Sequence, residues 1–156
     1  MKQFVHTLFP EEFFTRPEYF RALTLSALYL GVAIAQLFTY EKFAAVVRGF
    51  GLPGGDVTAN ILAAVLPLVA CAALPFLLSM RMGIRLRTVS RTAVIALPSL
   101  WLILAVWLNF APNASKLNAG IFGATIPTSV GIWIIAFTLL WVWAAVIVVR
   151  ELPGRK

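Results

Sequence analysis

The sequence predicts an all-α integral membrane protein, a four-transmembrane-helix bundle with N and C termini cytoplasmic, plus short interfacial helices. Three observations carry this expectation. Ala22–Tyr40, Val57–Met80, Thr92–Ser115 and Leu117–Val149 contain no Asp, Glu, Lys, Arg or His, and each is long enough to cross a hydrocarbon layer of roughly 30 Å, which takes about 20 helical residues. The apolar share is 61%, the charged share 12% and the mean hydropathy +0.91, far from the roughly half and quarter of soluble domains. Taking the spans in order, one side of the membrane receives Lys2, Arg16, Arg21, Arg81, Arg85, Arg87, Arg91, Arg150, Arg155 and Lys156, whereas the other receives Lys42, Arg48 and Lys116. Such a bias places the basic side in the cytoplasm.

That distribution also explains the net charge of +7. The cations mark the ends of spans, so the charge reads as topology and no nucleic-acid partner is expected; the lipid bilayer is. A single membrane domain, 1–156, with spans at about 16–40, 57–80, 92–110 and 130–149, leaves no room for a soluble catalytic domain.

Residues 1–20 mix aromatic residues with charges and suit the headgroup region. Glu11 and Glu12 interrupt the place where a signal peptide needs a continuous apolar core, so no cleaved signal is expected. Thr15, Pro17 and Glu18 read as a helix start, with Thr15 as the cap. In the first span Ala27, Gly31 and Ala35 recur every four residues, the spacing of a smooth stripe for helix packing. Gln36 lies near its outer end.

After this span, Phe43, Val46, Val47 and Phe50 fall on one helical face, which predicts a short interfacial helix. Gly49, Gly51, Pro53, Gly54 and Gly55 then turn the chain, and Asp56 is placed to cap the second span. Pro67 and Pro75 in the second span and Pro98 in the third each remove a backbone donor and tend to kink the helix. Asn60 and Asn109 lie, like Gln36, toward the outer ends of their spans, so the three polar intramembrane residues are expected to cluster there. The lone Cys71 lacks a partner for an internal disulfide and reads as a packing residue.

The second outer connection, about Phe110 to Ser129, is apolar enough to fold back on the membrane, and Gly120–Gly123 in it suit a lid or a subunit contact. Asn113–Ser115 match a glycosylation acceptor, a pattern too short to weigh alone. Trp133 suits the aromatic belt of the last span, while Trp141 and Trp143 lie deeper on different faces, one of them meeting a partner helix or a lipid-soluble molecule.

The first span, followed by YEKFAAVVRGFGLPGG and a proline-containing second span ending in a basic loop, resembles the DoxX and MauE-like family of small four-span bacterial membrane proteins. Lys42, Phe43, Gly51, Leu52 and Pro53 carry the resemblance, with Leu66 and Pro67 a weaker echo. It implies a bacterial inner (cytoplasmic) membrane and a role beside hetero-oligomeric membrane or periplasmic redox proteins.

Little catalytic raw material is present. A membrane haem needs two facing His ligands, and the chain has His6 alone, outside the spans. A proton or ion pathway ordinarily carries an ionisable residue inside the bundle, and the spans hold none. No catalytic residue, no metal site and no intrinsic cofactor is expected. A quinone, pigment or lipid held with partner subunits stays open, with Gln36, Asn60, Asn109, Tyr29 and the Trp residues as donors. The leading expectation is a non-catalytic accessory or scaffold subunit of a larger membrane complex, serving redox/electron transfer or redox-protein maturation. The alternative is a small oligomeric membrane transporter or channel. Phe43, Val47, Phe50 and Phe122 are the expected partner-contact residues.

Overall fold

In hydrocarbon every backbone N–H and C=O must find its partner within the protein, so uniformly apolar runs of this length become helices. The computed structural model describes residues 16–111 and 117–152. Its helices are α1 (Pro17–Phe38), α2 (Tyr40–Arg48), α3 (Gly55–Leu77), α4 (Ile84–Phe110) and α5 (Ile132–Glu151). All but α2 are long and apolar enough to cross a membrane.

Helix ends depart from expectation in instructive ways. α1 starts with Pro17 in its first turn and Arg16 at the cap position, without a side-chain capping bond; Thr15 lies outside the described residues. α3 is entered through Gly54 at φ +93°, so the turn is made by a left-handed glycine and Asp56 stands inside the first turn instead of capping it. α4 begins at Ile84, eight residues before the expected 92. Its first turns carry Arg85, Arg87 and Arg91, whose long stems let the helix continue past the hydrocarbon while the charges stay in water. The guanidinium of Arg87 lies 5.8 Å from the centroid of the Phe76 ring.

The spans form a ring in the order α1, α3, α4, α5, with a thinner contact closing it between α5 and α1. The inward face of α1 presents Ala22, Leu25, Tyr29, Val32, Ala33 and Gln36. Ala27 and Gly31 are exposed and Ala35 is half-buried, and a Cβ added at Gly31 would meet nothing within 4 Å. The expected small-residue packing stripe therefore points away from the bundle, and Leu25, Tyr29, Val32 and Gln36 are the larger side chains that fill the interior from α1. Cys71 likewise faces outward on α3 rather than packing inside.

Two prolines are answered by side chains from other helices. Pro98 has no N–H to offer the carbonyl of Val94, four residues earlier, and the Tyr29 hydroxyl donates to that carbonyl from across the ring. Next to Pro75, the Ser90 hydroxyl accepts from the Phe76 N–H at 3.0 Å and donates to the Ala72 carbonyl at 2.6 Å. Ser90 thus sits between two groups that an undisturbed helix pairs with each other. We expect Ser90→Ala to cost about 1 kcal/mol, the net worth of a typical hydrogen bond. Its SDS-induced unfolding midpoint in mixed micelles, compared with that of the parent, checks this; an unchanged midpoint would mean that the α3 turn heals by itself.

Candidate functional site

The residues expected to face a partner are turned inward. Phe43, Val47 and Phe50 are fully buried, although Phe50 lies two residues past the end of α2. α2 packs on α3, and the chain's own second connecting loop lies against Phe43 and Phe50. Gly120, at φ +72°, would place a Cβ 3.2 Å from Val46 Cγ1, 3.4 Å from Phe50 Cζ and 3.5 Å from Phe43 Cε2, so glycine lets the loop backbone lie against the aromatic face. In this arrangement Phe43, Val47 and Phe50 face the chain's own interior rather than its surface: an apolar α2 face seeks cover, and intramolecular packing supplies it without the entropy of association.

Phe122 is half-buried and packs inside as well, 6.4 Å between ring centroids from Phe137. Phe137 lies 5.9 Å from Trp141, and Trp141 meets Tyr29 edge-on at 5.3 Å and 84°. These rings connect the outer loop to the middle of the bundle. Asn118 shapes the loop from within, its Oδ1 accepting from the backbone N–H groups of Gly120 and Thr128.

Gln36, Asn60 and Asn109 do not form one cluster. Each fastens a different piece of the outer layer: Gln36 Nε2 donates to the Ile121 carbonyl at 2.9 Å, Asn60 Oδ1 accepts from Arg48 Nε at 3.2 Å, and Asn109 Nδ2 donates to the Ala105 and Gly131 carbonyls. Trp107 Nε1 adds a fourth fastening, donating to the Phe50 carbonyl at 3.0 Å. Tyr29 is committed to Val94. Gln36 Nε2, Asn60, Asn109, Tyr29 and Trp107 are thus engaged in holding the fold, whereas Gln36 Oε1 and the indole N–H groups of Trp101 and Trp141 are buried without a hydrogen-bond partner among the described residues.

An opening of different character lies at the opposite end, where the described chain ends meet. Between α1 and α5 is a cavity of about 500 Å³, walled by Leu25, Leu28, Trp143, Ala144, Ile147 and Val148. Phe20, Arg21 and Thr24 complete its lower end. Arg21 also lines an adjoining hollow of about 280 Å³ with Pro17, Glu18 and Glu151, and its Nη1 pairs with Glu151 Oε1 at 2.5 Å. An apolar trench therefore continues into a charged niche, with Arg21 common to both. The trench exists because α1 and α5 are held at two levels, by Tyr29 against Trp141 and by Arg21 against Glu151, while Thr24 and Ala144 are too small to fill the interval.

Neither Glu18 nor Glu151 stands out in the sequence as a site residue, yet Glu151 is the one acidic residue in a basic end segment, and the first span starts with Glu18 and Arg21. Opposite charges at the two ends of a chain whose spans form a closed ring were the available signal. Trp143, exposed on α5, is the aromatic wall of the trench, and Trp141 is the buried one that meets Tyr29. Among the described residues no group of three or more His, Cys, Asp or Glu side chains is arranged to hold a metal ion. Lys116 and the Asn113–Ser115 motif, like His6, lie outside the described residues.

Comparison with protein-family models, with curated proteins and with solved structures finds no match to this chain.

Proposed function

We propose that the protein is a non-catalytic accessory or scaffold subunit of a larger membrane complex, in a bacterial inner membrane with its chain ends cytoplasmic. The observation that carries this reading is how the bundle axis is filled. Tyr29, Val32, Leu66, Leu97 and Trp101 are fully buried, and the buried polar residues among those described, Ser26, Gln36, Ser90 and Thr138, each bond to backbone within the chain. Interior side chains spent on packing and on repairing helix breaks favour a structural part over a conduit, since a transporter ordinarily places an ionisable residue on a water-filled path. Side chains held in this way also offer no nucleophile paired with a base.

The redox or electron-transfer setting, or redox-protein maturation, comes from the resemblance of Lys42, Phe43, Gly51, Leu52 and Pro53 to DoxX and MauE-like proteins. In this reading the outward faces of the spans receive the partner subunits, and any quinone or pigment is held jointly with them.

Purification of the tagged protein from its native host in a gentle detergent, with mass spectrometry and a visible spectrum of the same fraction, tests the proposal. Co-recovery with redox or light-absorbing subunits in a fixed ratio is the expected result. A colourless homo-oligomer would overturn it and put an oligomeric transporter in its place.

A further inference from the structure

The trench between α1 and α5 joins an apolar groove to a charged niche, complements to the two parts of an amphipathic ligand. Its wall on α1 runs from Phe20 to Leu28, which at 1.5 Å per residue is about 12 Å of helix axis. The trench has a volume of about 500 Å³ along that length, and apart from Arg21 and Thr24 at its end it is walled by apolar side chains. A flexible hydrocarbon chain can follow such an apolar trench. The length suits it too, because one leaflet of a hydrocarbon core of about 30 Å is about 15 Å deep.

The charged niche selects the headgroup. It is lined by one guanidinium, Arg21, and two carboxylates, Glu18 and Glu151. Arg21 and Glu151 keep 55% and 35% of their side chains exposed, so both remain accessible to a ligand, and they stand near the ends of spans where charged side chains meet headgroups. A purely anionic headgroup meets an excess of carboxylate here. A headgroup bearing both a phosphate and a primary amine is matched on both counts, its phosphate on Arg21 and its ammonium on Glu151 and Glu18. Arg16 and Arg150 flank this region in the sequence but do not line the niche.

We infer that the α1–α5 trench and its charged niche form a binding site for a phospholipid with an amine-bearing zwitterionic headgroup, one acyl chain lying between Leu25 and Ile147. The site does not depend on the assembly proposed above, since it is complete within one chain. Trp143 on its wall provides the reporter.

The test reconstitutes the purified protein in phosphatidylcholine vesicles containing increasing fractions of acyl-brominated phosphatidylethanolamine, phosphatidylglycerol or phosphatidylcholine. Quenching at Trp143 is read as the difference between the parent protein and Trp143→Phe. Half-maximal quenching is expected at a mole fraction at least threefold lower for the ethanolamine lipid than for either other lipid. Glu18→Gln with Glu151→Gln should abolish that preference. Glu18→Gln alone, which leaves the Arg21–Glu151 pair intact, should reduce it by about half. Equal quenching by all three lipids would reduce the trench to ordinary lipid contact, and a preference for phosphatidylglycerol would overturn the headgroup assignment. Absence of quenching by any lipid would show the trench closed to acyl chains. The co-purification experiment is unaffected by these outcomes, so failure here and failure of the assembly reading are distinguishable.

Discussion

Replacing Gly123 by Ala is expected to detach the second outer loop from α1 and to lower stability by about 2–5 kcal/mol. Two costs add. The residue sits at φ +68°, where an L side chain loses roughly 1–2 kcal/mol, and its new Cβ would stand 2.4 Å from the Ala35 carbonyl oxygen and 2.9 Å from its carbon. Those are backbone atoms of a membrane-spanning helix and cannot rotate aside, so the loop must move, at an overpacking cost of typically 1–3 kcal/mol. The movement would also break the bond from Gln36 to Ile121, two residues away.

Two neighbouring substitutions set the scale. Gly120→Ala has a similar backbone penalty at φ +72° but meets only side-chain atoms, which can yield, so it should cost less. Gly31→Ala, in an exposed helical position with open space around its Cβ, should be neutral or stabilising by up to about 1 kcal/mol through helix propensity. SDS-induced unfolding midpoints of the three variants should fall in that order. A Gly123→Ala protein as stable as the parent would refute the docking of the loop on α1, and a strongly destabilised Gly31→Ala would restore the small-residue stripe as a packing face.

The second large effect is expected at Tyr29. Its ring is fully buried, meets Trp141 edge-on and carries the hydroxyl that serves the Val94 carbonyl. Tyr29→Ala should cost about 3–5 kcal/mol, the usual range for a buried aromatic truncated to alanine. Tyr29→Phe isolates the hydroxyl. Interhelical hydrogen bonds in membranes average about 0.6 kcal/mol and reach about 1.7, and this one belongs at the upper end because Pro98 denies the Val94 carbonyl its normal partner.

A double-mutant cycle separates this explanation from simple packing. In a Pro98→Ala background residue 98 regains an N–H directed at Val94, so Tyr29→Phe should then cost about 0.5 kcal/mol or less. The difference of about 1 kcal/mol is the coupling of the hydroxyl to the proline break. Additive costs would show that Tyr29 contributes through its ring alone.

These sites differ in how far the sequence announced them. A proline within an apolar span announces an orphaned carbonyl, but no local pattern says that Tyr29, 65 positions away, answers it. The helical spacing of Phe43, Val47 and Phe50 marks a face that will be buried, and so it is. The pattern reports the need for cover and not its source, and α3 together with a loop some 70 residues further on provides it. For the same reason the amides Gln36, Asn60 and Asn109 could be placed at the outer ends of their spans but not assigned to the separate contacts they make.

Four spans, their approximate ends, and a short amphipathic helix after the first were determined by the sequence alone, because water and hydrocarbon sort charged from apolar residues segment by segment. Tertiary structure decided which side of each span looks inward. The most apolar 18-residue windows bury only 33–44% of their residues, and the faces left outside need to be as apolar as the interior since lipid is their solvent. Without a polar face to mark the outside, Ala27 and Gly31 could not be told from Tyr29 and Val32 by composition. Only the ring closure of α1 against α5 brought Glu18, Arg21, Glu151 and Trp143 around one trench.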